Sequence, residues 1–335
     1  MTSYSEAPAI KEILDPAKKI VVIQADNPDT DSLGSSLALE QTLGDLGKEP
    51  VLFCAVDLPS YLKNLPGADR VVSELPSSFD LSIIVDTSSL ALLAKLEKNG
   101  LKSRLATKPT IVIDHHATKP SIDFAKVILN PTAVASAEVI YELAQQLDWP
   151  LNHEARKLLA IAILSDSLGL TSEATSARSI HIVAELVDGG VSLAELENAR
   201  RETMRREPEL IHYKGRLLQR VEFHDDNRIA TLAIPWEEIE KYSPLYNPPM
   251  LVIDDMRLAK DTQVAIVFKL YSDKVTGKIR TNYGYAVADK LAEHFGGGGH
   301  PYAAGFKVTD GRSFDEIKNE VIATASELLN NAKHD

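Results

Sequence analysis

Short apolar runs alternate with amphipathic stretches along the first half of the chain. The runs are rich in β-branched residues and predict strands at Lys19–Ile23, Val51–Val56, Leu81–Val85 and Thr110–Ile113. Apolar residues three and four positions apart predict helices at 33–46, 89–97, 135–147, 152–164 and 176–187. Strands that alternate with helices are typical of a mainly parallel sheet with helices on both faces.

The pattern changes after the turn at Asp188-Gly-Gly190. A highly charged stretch predicts one long helix from Leu193 to Val221, and strands follow near 228–234, 263–271 and 275–281, with a last helix at 314–329. A chain of 335 residues is longer than one hydrophobic core usually organises. We therefore predict an α/β fold in three parts: an N-terminal domain at 1–190, a helical linker at 191–222 and a smaller α/β C-terminal domain at 223–335.

The charge balance limits the partners that the protein can have. The chain carries 48 acidic and 36 basic residues, a net charge of -12. Proteins that hold long DNA through its phosphates present a basic surface, so long duplex DNA is not an expected partner. No apolar run approaches the ~18 residues that span a bilayer, and the N-terminus lacks the layout of a secretion signal. We expect a cytoplasmic protein without a membrane partner.

Acidic and histidine side chains follow three of the predicted strands. They are Asp29, Asp31, Asp86, Asp114, His115 and His116. The carboxyl ends of parallel strands meet at one edge of a sheet, where ligands bind. Carboxylates that converge repel one another unless a cation lies between them, and mixed carboxylate and imidazole donors suit Mn²⁺. In the alternative interpretation these aspartates only cap the helices that follow, and the histidine pair is structural.

A second group of residues near the C-terminus predicts anion binding. Four consecutive glycines, Gly296–Gly299, are costly to order, but they suit a backbone that approaches an anion closely. His300 follows them, and Arg280 on a predicted strand offers a planar fork for phosphate oxygens. A flexible hinge is the alternative for the glycine run. Ser136 precedes a predicted helix, and we expect it to cap that helix rather than to face phosphate.

Five segments in order along nearly the whole chain resemble the motifs of the DHH phosphoesterase family. They are Asn27-Pro-Asp29-Thr-Asp31-Ser-Leu-Gly, Asp86 after its strand, Asp114-His115-His116, Ile163-Leu-Ser-Asp166, and Phe295-Gly-Gly-Gly-Gly-His300-Pro-Tyr-Ala-Ala-Gly305. Gly277-Lys-Ile-Arg280 also resembles the strand that carries a substrate-binding arginine in that family. The family includes RecJ-like exonucleases, nanoRNases and phosphatases of phosphoadenosine phosphate.

The resemblance implies a site with two divalent cations, manganese being expected and magnesium or cobalt the alternatives. Asp29 and Asp86 would hold the first ion, and the second would be held by Asp31, Asp86, His115 and Asp166. His116 would lie beside the scissile phosphate, and Asp114 would orient the histidines. In the C-terminal domain the resemblance implies substrate binding by Arg280, Gly297, Gly298 and His300.

One position departs from the family pattern. The family has a histidine ligand of the first ion four residues before the first aspartate, and this chain has Ala25. Asp26 or water would have to replace it, or the first ion binds weakly. The resemblance implies hydrolysis of short oligonucleotides such as linear dinucleotides, of phosphoadenosine phosphate, or of both. The alternative is a nucleotide-binding or regulatory protein with a degraded first metal site. A homodimer is left open.

Overall fold

The computed structural model of the protein describes residues 3–59 and 61–332. The chain divides into two compact units, residues 1–205 and 206–335. The boundary between them lies inside the stretch predicted as a linker. No helix of the described residues is both long and apolar enough to cross a membrane.

The first unit is built on a parallel sheet of five strands in the order β2-β1-β3-β4-β5. The strands are β1 Lys19–Ile23, β2 Glu49–Phe53, β3 Leu81–Val85, β4 Thr110–Ile113 and β5 Val127–Leu129. Every residue of β3 and β4 is buried, as expected for central parallel strands that are covered on both faces.

Helices cover both faces of this sheet. They are α1 Ala7–Leu14, α2 Thr30–Asp45, α3 Ala94–Lys98, α4 Lys102–Leu105, α5 Ser136–Gln146, α6 His153–Asp166, α7 Ala177–Asp188 and α8 Leu193–Met204. Alternate strand residues point to opposite faces. One face therefore packs Ile83 and Ile111 into the larger core with α2, α5 and α6, while Ile84 and Val112 pack on the other side with Leu96 of α3.

The second unit contains a six-stranded sheet in the order β10-β11-β9-β8-β7-β6. Its strands are β6 Glu222–His224, β7 Ile229–Ile234, β8 Val264–Leu270, β9 Val275–Thr281, β10 Gly298–His300 and β11 Ala303–Val308. Neighbouring strands are antiparallel except for the pair β7 and β8. The helices are α9 Pro208–Leu218, α10 Trp236–Tyr242, α11 Ile253–Arg257, α12 Ala288–His294 and α13 Phe314–Asn331.

The α/β fold, with a parallel first sheet and a second mixed sheet, confirms the predicted fold class. The single long helix predicted at 193–221 is wrong, because the chain forms α8 and α9 with a break between Met204 and Pro208. Arg205 and Glu207 have ψ angles of 141° and 142°. The ring of Pro208 disfavours the helical conformation of the residue before it, which explains why the helix cannot continue.

Two predicted elements of the first unit also differ from the structure. The second strand lies at Glu49–Phe53, so it begins two residues before and ends three residues before the strand predicted at Val51–Val56. The stretch predicted as one helix at 89–97 is a 3-10 turn at Leu90–Leu93 followed by α3.

Candidate functional site

The site of the first unit lies at the carboxyl ends of neighbouring strands. β1 leads to Asp31 in the first turn of α2, β3 leads to Asp86, and β4 leads to His115 and His116. Asp166, the last residue of α6, lies beside these strand ends, with its carboxylate near His115. Two sets of three side chains each place one ligand atom per residue within 4.8 Å of the others. They are Asp86 with His115 and His116, and Asp31 with His115 and Asp166.

His115 lies at the centre of this cluster. Its Nε2 is 3.4 Å from Oδ1 of Asp86, 3.5 Å from Oδ2 of Asp166 and 3.8 Å from Oδ2 of Asp31. Its Nδ1 is 3.2 Å from the carbonyl oxygen of Ala133. A carbonyl oxygen only accepts, so we assign the proton to Nδ1, and the lone pair of Nε2 faces the carboxylates.

The donor set fits a divalent cation. Among the described residues, the buried Nε2 of His115 has no hydrogen-bond partner. A buried acceptor that faces carboxylate oxygens leaves a concentration of lone pairs with no proton or charge to balance it, which is costly in a protein interior. A cation bound by the same atoms would give Nε2 of His115 a partner and would balance the charge of the carboxylates.

The acidities of the carboxyl groups point the same way. Burial, followed by repulsion from Asp31 and Asp29, raises the pKa of Asp166 to about 7. Burial also raises the pKa of Asp31 and, with repulsion from its acidic neighbours, that of Asp86. These groups resist carrying charge together while no cation is present, so divalent binding and proton release are coupled here.

The start of α5 holds two of these carboxylates. Asp31 accepts hydrogen bonds from the backbone amides of Ser136 at 2.6 Å and Ala137 at 3.2 Å, and from the hydroxyl of Ser35 at 2.9 Å. The hydroxyl of Ser136 donates to Oδ1 of Asp86 at 3.0 Å. The amides at a helix N-terminus favour negative charge, so this turn orients the carboxylates and stabilises their ionised form.

Ser136 is therefore not the helix cap that the sequence predicted. The capping position is Ala135, and Ser136 is the first residue of α5, with its side chain directed to Asp86. The buried Glu138 holds this turn in place, because it accepts from the backbone amide of Val134 and pairs with Arg178 at 3.0 Å. A serine before a helix is too common for its sequence context to reveal a contact with a residue 50 positions away.

Asp86 itself has an unusual backbone conformation. Its φ angle is 64°, in the left-handed region that residues other than glycine rarely adopt. Such conformations cost about 1–3 kcal/mol and persist where the surrounding structure imposes them, often at functional sites. This conformation occurs at the residue directly after β3, where the strand ends.

His116 and Asp114 form a separate pair beside the cluster. Oδ1 of Asp114 accepts from Nδ1 of His116 at 2.8 Å and from the backbone amide of His115 at 2.8 Å. Burial acts to raise the pKa of Asp114, but the hydrogen bond from His116 and the nearby hydroxyl of Ser88 outweigh it and lower the pKa to about 2. The hydrogen bond to Asp114 raises the pKa of His116, whose side chain is 46% exposed.

Asp29 lies near the cluster but outside both sets of converging ligand atoms in the described part of the chain. It caps α2, with Oδ1 accepting from the backbone amide of Ser32 at 3.0 Å. The capping alternative therefore applies to Asp29, while Asp31 lies inside the helix and faces the cluster. Ala25 is buried, and one oxygen of Asp26, Oδ2, accepts from the backbone amide of Lys95 at 2.6 Å. Asp26 also lies outside both sets of converging ligand atoms in the described part of the chain.

In the second unit, Arg280 and His300 lie on the same face of the sheet. Ala303 pairs with both of them, and directly paired residues of neighbouring strands point to the same side. Arg280 is partly buried and donates to the carbonyl oxygen of Ile279 at 3.0 Å. His300 is exposed at the end of β10.

The glycine run is an ordered part of this sheet, since Gly298–His300 form β10 and pair with β11. A Cβ at Gly297 would lie 2.2 Å from the carbonyl oxygen of Gly305, and one at Gly299 would lie 2.6 Å from that of Ala303. Gly299 also has a φ angle of 148°. A Cβ at Gly298 would meet open space. Close backbone packing therefore accounts for Gly297 and Gly299, while no neighbouring atom within 4 Å requires glycine at position 298.

Comparison with protein families matches both halves of the chain. Residues 19–163 match the model of the DHH family, N-terminal domain, and residues 251–327 match the DHHA1 domain. The first match contains the strand-end residues Asp31, Asp86 and His115, and the second contains Arg280 and His300.

Several relatives align with most of the chain. A protein of Thermus thermophilus named bifunctional oligoribonuclease and PAP phosphatase NrnA is 27% identical over 310 residues, which cover 91% of this chain and 89% of the relative. The Bacillus subtilis protein of the same name is 24% identical over 294 residues, 87% of this chain and 89% of the relative.

Solved structures share the fold. An exopolyphosphatase-related protein from Bacteroides fragilis superposes with a TM-score of 0.82 at 18% identity, covering 98% of both chains. RecJ of Thermus thermophilus, solved in complex with Mn²⁺, gives a TM-score of 0.51 at 20% identity over 96% of this chain and 54% of RecJ. The matched domains, the relatives and the motif residues together show that the chain belongs to the DHH family of phosphoesterases, with a DHH domain followed by a DHHA1 domain.

Proposed function

We propose that the protein hydrolyses phosphate esters of short oligonucleotides, of phosphoadenosine phosphate, or of both, with divalent cations held in the first unit. The observation that carries the proposal is the buried Nε2 of His115, which faces the carboxylates of Asp31, Asp86 and Asp166. The names of the Thermus and Bacillus relatives support the choice of substrates.

Asp29 and Asp86 would hold the first cation, and the second would be held by Asp31, Asp86, His115 and Asp166. Mixed oxygen and imidazole donors suit manganese, with magnesium and cobalt as alternatives. When bound, the cations would supply Lewis acidity toward a phosphoryl oxygen and lower the pKa of the nucleophilic water. The first position is the weaker one, because Asp29 uses one oxygen as a helix cap and Ala25 offers no ligand.

His116 and Asp114 are proposed to act on the substrate side of the cluster. The carboxylate of Asp114 fixes the ring of His116 through Nδ1, which leaves Nε2 available to the phosphate group. A protonated Nε2 would donate a hydrogen bond to a phosphoryl oxygen and pass its proton to the leaving oxygen. Asp114 acts through His116 and is therefore a positioning residue.

The second unit is proposed to bind a phosphate of the substrate. Arg280 and His300 share one face of the sheet, and Gly298 leaves the edge strand open beside them. The guanidinium plane of Arg280 can bind two phosphate oxygens at once. A cytoplasmic location and a short rather than a long nucleic-acid substrate complete the proposal, in keeping with the net charge of -12.

The test is hydrolysis of a 5′-labelled dinucleotide and of phosphoadenosine phosphate, side by side, with added Mn²⁺. Asp86→Asn is the matched control, since it keeps the size of the side chain and removes its charge. We expect release of mononucleotide or of inorganic phosphate by the natural chain, and at least a 100-fold slower reaction in Asp86→Asn.

A nucleotide-binding or regulatory protein is the second candidate, and the capping role of Asp29 together with Ala25 favours it. The two candidates differ in one outcome. If neither substrate is turned over above the rate of Asp86→Asn while both bind, the hydrolase proposal is wrong and the binding function replaces it.

A further inference from the structure

One face of the second sheet carries basic side chains in three successive rows. Strand pairing places His300, Ala303 and Arg280 in the first row and Gly298, Gly305 and Lys278 in the second. The third row contains Lys307, Thr276 and Lys269. We call the cationic members of these rows the basic face: Lys269, Lys278, Arg280, His300 and Lys307.

The same rows continue onto β8, where helices cover this face of the sheet. Next to Arg280 and Lys278 on β8 come Ala265 and Val267, which belong to the core formed with α9, α10 and α11. The basic half has only small side chains between the cations, those of Ala303, Gly305 and Thr276. The opposite side of the sheet is filled by the core that includes α12 and α13. The basic face is therefore a shallow, partly exposed surface.

Two lysines at the centre of this face have no paired acidic side chain among the described residues. Within the part of the chain that the structure describes, Lys269 and Lys278 take part in no ion pair and no side-chain hydrogen bond, although both are half-buried. Asp254 is the acidic group close enough to affect Lys278 and Arg280, and it already pairs with Arg257 at 3.0 Å. Burial lowers the pKa of both lysines.

Unpaired cations that are partly removed from water destabilise the fold, so their clustering calls for an anionic ligand. Successive rows along an antiparallel strand are about 6.8 Å apart, since each row advances by two residues. One phosphate group cannot span three rows at that spacing. Lysine suits contacts with several phosphates, because its flexible ammonium group is a point charge without a fixed geometry.

From this geometry we infer that the basic face binds consecutive phosphates of a single-stranded oligonucleotide, with Lys278 and Lys269 contacting phosphates beyond the one held by Arg280 and His300. The inference rests on the proposed function for its choice of substrate. It predicts that an oligonucleotide with three phosphates binds through more ionic contacts than a nucleotide with one.

The experiment measures binding to the full chain by fluorescence anisotropy, without hydrolysis because EDTA removes divalent metals. The probes are a dye-labelled, 5′-phosphorylated triadenylate and a dye-labelled adenosine monophosphate, at 50 to 200 mM KCl. The variant is Lys269→Gln with Lys278→Gln. Its matched control is Lys290→Gln with Lys318→Gln, which makes the same charge change on α12 and α13 at the other side of the sheet.

Each phosphate contact with a single strand contributes about 0.7 to the slope of log affinity against log salt. Losing two contacts should reduce the slope for triadenylate by about 1.4, which corresponds to about 60-fold weaker binding at 50 mM KCl and about tenfold at 200 mM. The control variant should keep the slope of the natural chain. Thermal melting of both variants checks that the fold is intact.

Three results would overturn the inference: no binding of triadenylate by the natural chain, an unchanged slope in the Lys269 and Lys278 variant, or an equal loss of slope for adenosine monophosphate. The last would mean that the lysines hold the first phosphate rather than later ones. Failure of the proposed function is a different result, because a chain that binds triadenylate in this way and does not hydrolyse it with Mn²⁺ keeps the binding surface and loses only the reaction.

Discussion

Replacement of Ser136 by alanine tests whether the start of α5 positions the metal ligands. The substitution removes the 3.0 Å hydrogen bond from the hydroxyl to Asp86 and keeps the backbone amide that donates to Asp31. The hydroxyl lies in a fully buried position, so water cannot replace it. A hydrogen bond to a charged group contributes about 1.5–3 kcal/mol.

Loss of that amount from the ionised, ligand-competent form of Asp86 corresponds to about a 10- to 160-fold weaker affinity for the cation. We expect Mn²⁺ binding by Ser136→Ala, measured by isothermal titration calorimetry at pH 7.5, to weaken within that range. The turnover of a dinucleotide at limiting Mn²⁺ should fall in proportion and recover at saturating Mn²⁺.

Ser82→Ala is the matched control. It removes a buried hydroxyl contact of 2.8 Å with Thr110, at the opposite end of β3 and β4 from the metal ligands. Ser82→Ala should lower the melting temperature about as much as Ser136→Ala does, and it should leave the Mn²⁺ affinity unchanged. The reasoning is refuted if Ser136→Ala binds Mn²⁺ as tightly as the natural chain, or if Ser82→Ala weakens Mn²⁺ binding equally.

Three further predictions follow from the same geometry. Asp114→Asn removes the partner that raises the pKa of His116. Because His116 must be protonated to act as the proton donor, the alkaline limb of the kcat–pH profile should move to lower pH. An unmoved limb would exclude His116 as the proton donor. Without metal, the pKa of Asp166 in the folded state is about 7, against an ordinary value of 3.8. Between these pH values the folded state binds more protons than the unfolded state, so its stability falls as pH rises. The melting temperature in EDTA should therefore fall from pH 4 to pH 7. Mn²⁺ should reverse that loss at pH 7.5, and a flat profile in EDTA would contradict the prediction. Gly297→Ala should destabilise the second unit, because its Cβ would lie 2.2 Å from a backbone oxygen, whereas Gly298→Ala should leave the melting temperature unchanged.

The structure also explains how a short helix start becomes part of the site. Ser136 and Ala137 donate to Asp31, Ser136 donates to Asp86, and the carbonyl oxygen of Ala133 accepts from His115. Three proposed metal ligands are thus positioned by one segment, and that segment is itself held by Glu138, which accepts from the backbone amide of Val134 and pairs with Arg178. Such positioning contacts commonly matter as much as the ligands themselves.

The sequence by itself determined the features that depend on local pattern. The four apolar runs of the first half predicted β1 to β4, and the placement of Asp31, Asp86 and His115 at one edge follows from the rule that parallel strands end together. The short strands β5, β6, β10 and β11 have no comparable apolar run and were not predicted. The break before Pro208 also has a local cause, since proline restricts the residue before it. The prediction of one long helix followed the continuous run of charged residues and did not take this proline into account.

Only the tertiary structure decided the features that depend on distant pairing. Asp29 and Asp31 are two residues apart, yet one caps a helix and the other enters the cluster, because the turn into α2 points them in different directions. The contact of Ser136 with Asp86 and the rows of the basic face depend on how α5 packs and on the register of β9 with β11. A shift of one residue in that register would move Lys278 and Arg280 to the other side of the sheet, and no property of either residue alone fixes it.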